Sequence, residues 1–347
     1  MNVLSLFDGK SSGYTACELA GIEIGTYYSA EVDKYAIKVS DAIHPDQIRL
    51  GDVTKWREWD IDWSSIDMIF GGFPCQAWSM AGKQMGDKDE RGMLFWTMLD
   101  IMKHVRHHNP KADFLIENVK MKKEFEEYIT FHMNNAVGDV HKILINSALV
   151  SAQNRNRYYW TSFEVTQPED KEIFLGGIIE HGVVDQDKSY CIDANYFKGG
   201  NLKSYFEKHR RQLVFNQPCR VSERGRRLTV CGTRRDDRFG EVVRGYEGSA
   251  SGKTTCLTTV QKDNYILQDY TVRKLTPREC FRLQTVPEHY IDKILNCGVS
   301  NTQLYKIAGN GWTDEVIAHV LKCYKRDNAH GCKSIKELWL TQQNREG

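Results

Sequence analysis

Apolar and polar positions alternate along the first half of this chain in two periods. Val3 to Phe7 is a compact apolar run that stops at Asp8-Gly9, the pattern of a buried strand, and Ser12 to Leu19 follows with helical spacing. The pair recurs as a strand over Thr26 to Ala30, ending at Glu31, and a helix over Lys34 to Ile43. Met68 to Phe70 forms a third apolar run, closed by Gly71-Gly72. Helical spacing over Phe95 to Val105, a strand at Phe114 to Ile116 and a helix over Met121 to Phe131 come next, before strands at Ile143 to Ile145 and Tyr158 to Thr161. Strand and helix in alternation predict a doubly wound, Rossmann-like α/β sheet, whose ligands bind at the carboxyl ends of its strands.

After about residue 165 the texture changes. Residues 166–270 carry short Val, Ile, Leu and Tyr runs between Gly, Asn, Asp and Ser clusters, which predicts a smaller, irregular, strand-rich domain. Helical spacing returns at Pro277 to Gln284 and at Asp314 to Tyr324. The expected division is a large domain of residues 1–165 plus 300–347 and a smaller one of 166–299. With 347 residues, 41% hydrophobic and 27% charged, the chain holds enough apolar material for two cores, which excludes disorder and coiled coil. No apolar run approaches the roughly 20 residues of a membrane span. Met1 to Asp8 lacks the basic segment of a signal peptide, so a cytoplasmic protein is expected. The ten cysteines are scattered and never fall as C-x-x-C, so they read as reduced thiols rather than a disulfide framework or a zinc site.

The near-neutral total, +1, hides an asymmetry. Between Lys203 and Arg244 stand twelve Lys and Arg against five acids, a local +7 that leaves −6 for the remainder. Such a run is either a solvated face or a polyanion-binding surface. Its bases are mostly arginine and interleaved with Tyr205, Phe206, Phe215 and Phe239, which favours the second reading.

Three short segments carry candidate chemistry. Gly71-Gly72-Phe73-Pro74-Cys75-Gln76 follows directly on an apolar strand, and its glycines and proline specify a tight loop holding a thiol at the strand's carboxyl end. In isolation such a cysteine reads as a buried structural thiol. The glycine-punctuated stretch from Ala77 to Gly86, followed by Arg91-Gly92, instead resembles a lid over a site. Glu117-Asn118-Val119 ends the next strand, and Gln153-x-Arg155-x-Arg157 begins a later one with its alternate arginines on one face. Thiol, carboxylate and guanidinium on one edge suggest a nucleophile, a proton donor and an oxygen clamp. Taken singly, Glu117 also reads as a helix cap and either arginine as half of a structural ion pair.

In order and spacing, Phe7-Asp8-Gly9, Gly72-Phe73-Pro74-Cys75-Gln76, Glu117-Asn118-Val119, Gln153-Asn154-Arg155-Asn156-Arg157, Arg273 to Cys280 and Gly309-Asn310 resemble the motifs of the DNA (cytosine-5)-methyltransferases. The resemblance covers most of residues 1–160 and 271–322. The opening Phe-Asp-Gly-x-x-x-Gly and Ser151-Ala152-Gln153 are similar to the vertebrate de novo branch, whereas Ala77 to Gly92 is more similar to bacterial restriction-modification or phage enzymes.

The resemblance implies a methyl transfer from S-adenosylmethionine, without a metal, to a cytosine flipped out of duplex DNA. It makes Cys75 the nucleophile that adds to cytosine C6, Glu117 the carboxyl that bonds the N3 and N4 edge, and Arg157 the clamp on O2, with Arg155 its neighbour in the same motif. A carboxyl acting as a proton donor near neutral pH needs a water-excluding pocket. On the cofactor side, Phe7 is expected to stack on adenine, while Asp8, Gly9 and Gly13 shape the turn beneath the methionine part. Glu31 is expected on the ribose hydroxyls and Asp52, with Val53, at the adenine amino group. Pro74, Asn310 and Trp312 belong to segments that close the pocket. Val32 stands where many relatives carry Trp, and Gly311-Trp312 replaces a common Ser-Val. Expected DNA contacts are Gln76, Ser79, Lys83, Arg226, Arg227, Arg234, Arg235 and Lys253. Gly248 to Lys253 superficially matches a phosphate loop, but only three residues separate its glycines where that motif needs four.

The partner is then double-stranded DNA, with a separate cognate restriction endonuclease and a monomeric enzyme as further expectations. Three rivals differ in testable ways: an RNA cytosine-5 methyltransferase, whose Cys-Phe-Thr signature is absent, a catalytically dead DNA-binding relative, and an enzyme transferring a larger sulfonium substituent.

Overall fold

The computed structural model describes residues 1–74, 92–215 and 272–325, together with the backbone of strands Cys219–Arg227, Val242–Gly248 and Tyr265–Leu267. Its centre is a seven-stranded sheet. In chain order the elements are β1 (Val3–Leu6), α1 (Ser12–Leu19), β2 (Tyr27–Ala30), α2 (Lys34–Ile43), β3 (Ile48–Arg49), β4 (Met68–Gly71), α3 (Met93–His108), β5 (Asp113–Val119), α4 (Lys123–Val137), β6 (His141–Asn146) and β7 (Asn156–Thr161). The strand order is β3-β2-β1-β4-β5-β7-β6, so the expected doubly wound α/β sheet is present, and its order reverses between β1 and β4.

β1 and β4 are buried along their whole length because helices cover both faces. Leu4, Leu6, Ile69 and Ile116 pack against Phe95, Met98, Leu99 and Met102 of α3 on one face. Val3, Met68, Phe70 and Leu115 meet Ala16 and Cys17 of α1 and Val316, Ile317 and Val320 of a last helix over residues 314–325 on the other. A Cβ on Gly13 would lie 2.4 Å from the Phe70 ring, so this glycine lets α1 close on β4.

β7 runs antiparallel to both β5 and β6. Residues 147–155, which link β6 to β7, include only a single 3-10 turn and are too short for the crossover helix that a parallel strand requires. The reversal brings the first residues of β7 to the edge where β1, β4 and β5 end, and it pairs Arg157 with Val119.

Beyond the sheet lie α5 (Leu202–Lys208), β8 (Leu213–Phe215), β9 (Cys219–Arg227), β10 (Val242–Gly248), β11 (Tyr265–Leu267), β12 (Val272–Lys274), α6 (Pro277–Leu283), α7 (Glu288–Asn296) and α8 (Asn301–Asn310). β9 pairs with β10 and β11, and β8 with β12, as short antiparallel ladders. The strand-rich reading of 166–270 therefore holds, with α5 added. α7 and α8 escaped the periodicity reading because each is short and Cys297-Gly298, with Gly298 at φ +74°, breaks the pattern between them. α6 starts where expected, on a capping box in which Thr276 and Glu279 bond each other's backbone N–H groups. Glu279 is fully buried and takes both Arg273 nitrogens at 2.8 Å. One core cluster joins Ala36, Val39 and Ile43 of α2 to Phe281, Ile291, Ile294 and Ile307, so α6–α8 pack on the sheet's helical layer. No helix among the described residues is long and apolar enough to cross a membrane.

Candidate active site

A cavity of about 530 Å³ opens along the carboxyl edge of the sheet. Each central strand delivers part of its lining: Phe7 and Gly9 after β1, Glu31 and Val32 after β2, Asp52 and Val53 after β3, Pro74 after β4, Glu117 at the end of β5, Arg155 and Arg157 at the start of β7, and Asn310 and Trp312 after α8. All of these are residues singled out by the sequence. Cys75, Gln76, Ser79, Lys83, Arg234, Arg235 and Lys253 lie outside the described residues, and Arg226 and Arg227 are described by their backbone in β9 alone.

The turn after β1 is held in an unfavourable conformation. Phe7 sits at φ +58° and Ser11 at φ +62°, where a side chain costs on the order of 1–3 kcal/mol. Asp8 over-determines the turn. Its carboxylate accepts bonds from the hydroxyls of Ser5, Ser11, Tyr27 and Ser29, at 2.5–2.7 Å. Asp8 is thus the buried anchor that aims Phe7 and does not line the cavity. Gly13 does not line it either: its absent side chain serves helix packing rather than a turn under the ligand.

Glu31 ties this turn to the next. Oε2 accepts Gly9 N at 2.8 Å, and Oε1 accepts Val32 N and Asp33 N at 2.8 Å each. A carboxylate offers about four acceptor positions, so one remains for a ligand. Asp52 caps a 3-10 turn through Thr54 N at 2.9 Å while also lining the cavity.

At the opposite end, Arg157 Nε lies 2.9 Å from Glu117 Oε1, and both side chains are largely buried. Asn118 donates to Phe73 O at 3.0 Å, fixing the end of β4 against the end of β5. Gly72 leaves room for the indole: a Cβ there would lie 3.1 Å from Trp312 Nε1 and press on it. Arg155 has a different task from Arg157. It is 3% exposed, and its guanidinium donates to the carbonyls of Gly311 at 2.8 Å, Ile192 at 3.2 Å and Gly309 at 3.3 Å. It therefore ties the α8 terminus down while still lining the cavity, whereas Arg157 is the arginine that meets Glu117. Gly309 is constrained far more tightly, since a Cβ there would run into the Asp193 backbone carbonyl.

A family model for C-5 cytosine-specific DNA methylases matches residues 1–326. The chain belongs to this family. Among its relatives, the type II methyltransferase M1.ScrFI of Lactococcus lactis subsp. cremoris is 31% identical over 307 residues, covering 83% of this chain and 69% of its own. The orphan methyltransferase M.SPRI of Bacillus phage SPR is 24% identical, covering 93% of this chain and 97% of its own. The Entamoeba histolytica methyltransferase EhMeth shares the fold at a TM-score of 0.63 and 14% identity, across 94% of this chain and 98% of its own. As a C-5 cytosine DNA methylase, the protein is an enzyme that acts on DNA.

Three residues in or beside the methylase cavity escaped the sequence reading. Lys10 is 1% exposed and holds both Asp314 oxygens at 2.8 Å across the whole length of the chain. Lys306 lines the rim and pairs with Asp33 at 2.9 Å. Cys191 lies against Arg155 and Arg157. Each depends on contacts between segments far apart in sequence, which periodicity does not register.

Proposed function

We propose that this methylase transfers a methyl group from S-adenosylmethionine to C5 of a cytosine flipped out of a specific duplex sequence, with Cys75 as the nucleophile. The observation that carries the reading is that Glu117 and Arg157 meet in the same cavity as Phe7, Glu31 and Asp52, and that Pro74, which also lines it, is followed in sequence by Cys75. The lining fits the cofactor: an apolar ring, a carboxylate with a spare acceptor position and a glycine cradle at Gly72 surround a space of ligand size. When bound, S-adenosylmethionine supplies an electrophilic methyl group on a sulfonium.

The protein's part is to make C5 a nucleophile. The Cys75 thiolate adds to C6 while Glu117 donates a proton to N3, which converts the ring to an enamine. Arg157 holds O2, and C5 then takes the methyl group. Transfer of the C5 proton to a base such as water, expulsion of Cys75 as a thiolate and return of the N3 proton to Glu117 restore the aromatic ring. Phe7, Glu31, Val32, Asp52, Val53, Asn310 and Trp312 hold the cofactor, whereas Asp8 and Arg155 act by positioning. Gln76, Ser79, Lys83, Arg226, Arg227, Arg234, Arg235 and Lys253 are assigned to the DNA. Residues 1–165 with 300–325 form the catalytic domain, and 275–299 join it through α6 and α7, which leaves the intervening part of 166–299 for target recognition. The enzyme acts as a cytoplasmic monomer, alongside a separate endonuclease.

DNA carrying 5-fluorocytosine at the target tests the reading, because fluorine does not leave C5 as a proton does. A denaturation-resistant adduct is expected with cofactor present and is lost in Cys75→Ala. An adduct that persists in that variant overturns the assignment.

A further inference from the structure

Arg155 is a buried cation. Its guanidinium meets three backbone carbonyls and one side chain, Cys191, whose Sγ lies 3.5 Å from Nη1. Among the described residues, no Asp or Glu pairs with it. The same sulfur lies 4.0 Å from Nη2 of Arg157, so one atom touches both arginines of the Gln-x-Arg-x-Arg motif. A buried charge without a counter-ion is costly, and carbonyl dipoles offset only part of that cost.

We propose that Cys191 is present as a thiolate, the shared counter-ion of Arg155 and Arg157, and that it positions Arg157 toward Glu117. Arg155 then has an anion in contact, and Arg157 has one beside it as well as Glu117. With a neutral thiol Arg155 has no anion among the described residues, and among them the S–H proton finds only Ile192 O, at a long 3.5 Å. Burial pushes the Cys191 thiol up, but the two guanidiniums outweigh it and hold the thiol below its ordinary range. The segment is built for this place. Ile192 N donates to Gln153 Oε1 at 2.8 Å, and Asn154 N to Ser189 O at 2.9 Å, so the motif that carries the arginines also docks the stretch that carries Cys191. Unlike Cys75, Cys191 forms no bond to the base; it acts through Arg157.

This inference rests on the assignment of Arg157 to the cytosine pocket. The test has two arms. In the first, iodoacetamide alkylation of the cofactor-free protein is followed across pH by peptide mapping. The Cys191 peptide should react with a midpoint below the roughly 8.5 of an ordinary thiol, and Arg155→Met should move that midpoint upward. In the second, Cys191→Ser, which keeps size without charge, should lower kcat about tenfold or more with little change in cofactor affinity. Cys191→Asp, which restores an anion, should recover most of it. An ordinary alkylation midpoint, a Ser variant as fast as the native enzyme, or Ser and Asp variants equally impaired would each overturn the proposal. If Arg157→Ala methylates normally, the pocket assignment of Arg157 fails instead, and the alkylation midpoint still reports on the counter-ion.

Discussion

Arg157 and Glu117 meet at 2.9 Å because β7 runs against β5. The register sets Arg157 opposite Val119, and Glu117 two positions back lies on the same face of the sheet. A parallel β7 would carry its first residues to the other edge. The single reversed strand therefore brings together a carboxyl and a guanidinium, the two groups that the proposed mechanism sets on the polar edge of the cytosine.

Replacing Glu117 with Gln keeps its size and removes its proton. Turnover is expected to fall by about two to four orders of magnitude, the range for a positioned acid. Cofactor affinity, read by equilibrium titration, should change little, because Phe7, Glu31 and Asp52, proposed to hold the cofactor, follow β1, β2 and β3, at the other end of the sheet edge from Glu117. Near-normal turnover would reduce Glu117 to half of a structural ion pair.

Lys10 and Asp314 predict a strong stability effect. Both side chains are fully inaccessible, and burial lifts the Asp314 carboxyl above its ordinary range despite Lys10. Lys10→Met strands a buried carboxylate and should cost about 3–5 kcal/mol. Asp314 then carries a folded-state pKa still further above its unfolded value, so the variant's stability is greatest in acid and declines as pH rises. The double change Lys10→Met with Asp314→Leu should recover most of the loss in denaturant melts. Additive single and double effects would show that the two residues are uncoupled.

The contrast between Lys10 and Glu117 marks what was legible in the sequence. Strands β1, β2, β4 and β5 follow from continuous apolar runs, and the residues at their carboxyl ends follow from the strands. Glu31 and Glu117 could thus be placed on one edge, whereas Asp52, which follows the two-residue strand β3, was placed only by the family resemblance. The direction of β7 was not legible, because apolar pattern carries no sign. Nor were Lys10–Asp314, the Asp8 hub or Cys191, where a polar residue is buried only because a distant segment satisfies it. Arg155 and Arg157 show the limit most sharply: both line the cavity, yet one meets Glu117 while the other spends its guanidinium on backbone carbonyls.

His44 supplies an acid-sensitive element behind the Phe7 turn. It is buried, bonds Thr15 at 2.8 Å and stacks on Tyr14 at 4.1 Å. Burial, with the charges of Lys10, Lys293, Arg49 and His289, lowers its pKa to about 3. The unfolded chain takes up this proton near pH 6.5 and the folded chain does not, so the contribution is complete above pH 6.5 and lost as pH falls toward 3. Lowering the pH from 7 to 5 should cost about 2 kcal/mol from this residue. His44→Phe should flatten that part of the stability–pH curve, measured by denaturant midpoints at both values. An unchanged slope would mean that His44 is protonated in the folded protein.

The arginine-rich insert makes the last prediction. Arg226 and Arg227 are consecutive in β9, which pairs with β10 on one side and β11 on the other, so alternation sets them on opposite faces of that small sheet. If one face meets the duplex, the two cannot contribute alike. The arginine on the DNA side, if it reads a guanine edge, should cost about 1–3 kcal/mol on replacement with Gln and relax sequence preference at one position. If it contacts phosphate, binding should weaken on all sequences and the salt slope should fall by about one unit. The arginine on the other face should leave both readouts unchanged. Filter binding across a salt series, with bisulfite sequencing of the methylated product, separates these outcomes. Equal effects from Arg226→Gln and Arg227→Gln would show that this sheet does not lie face-on against DNA.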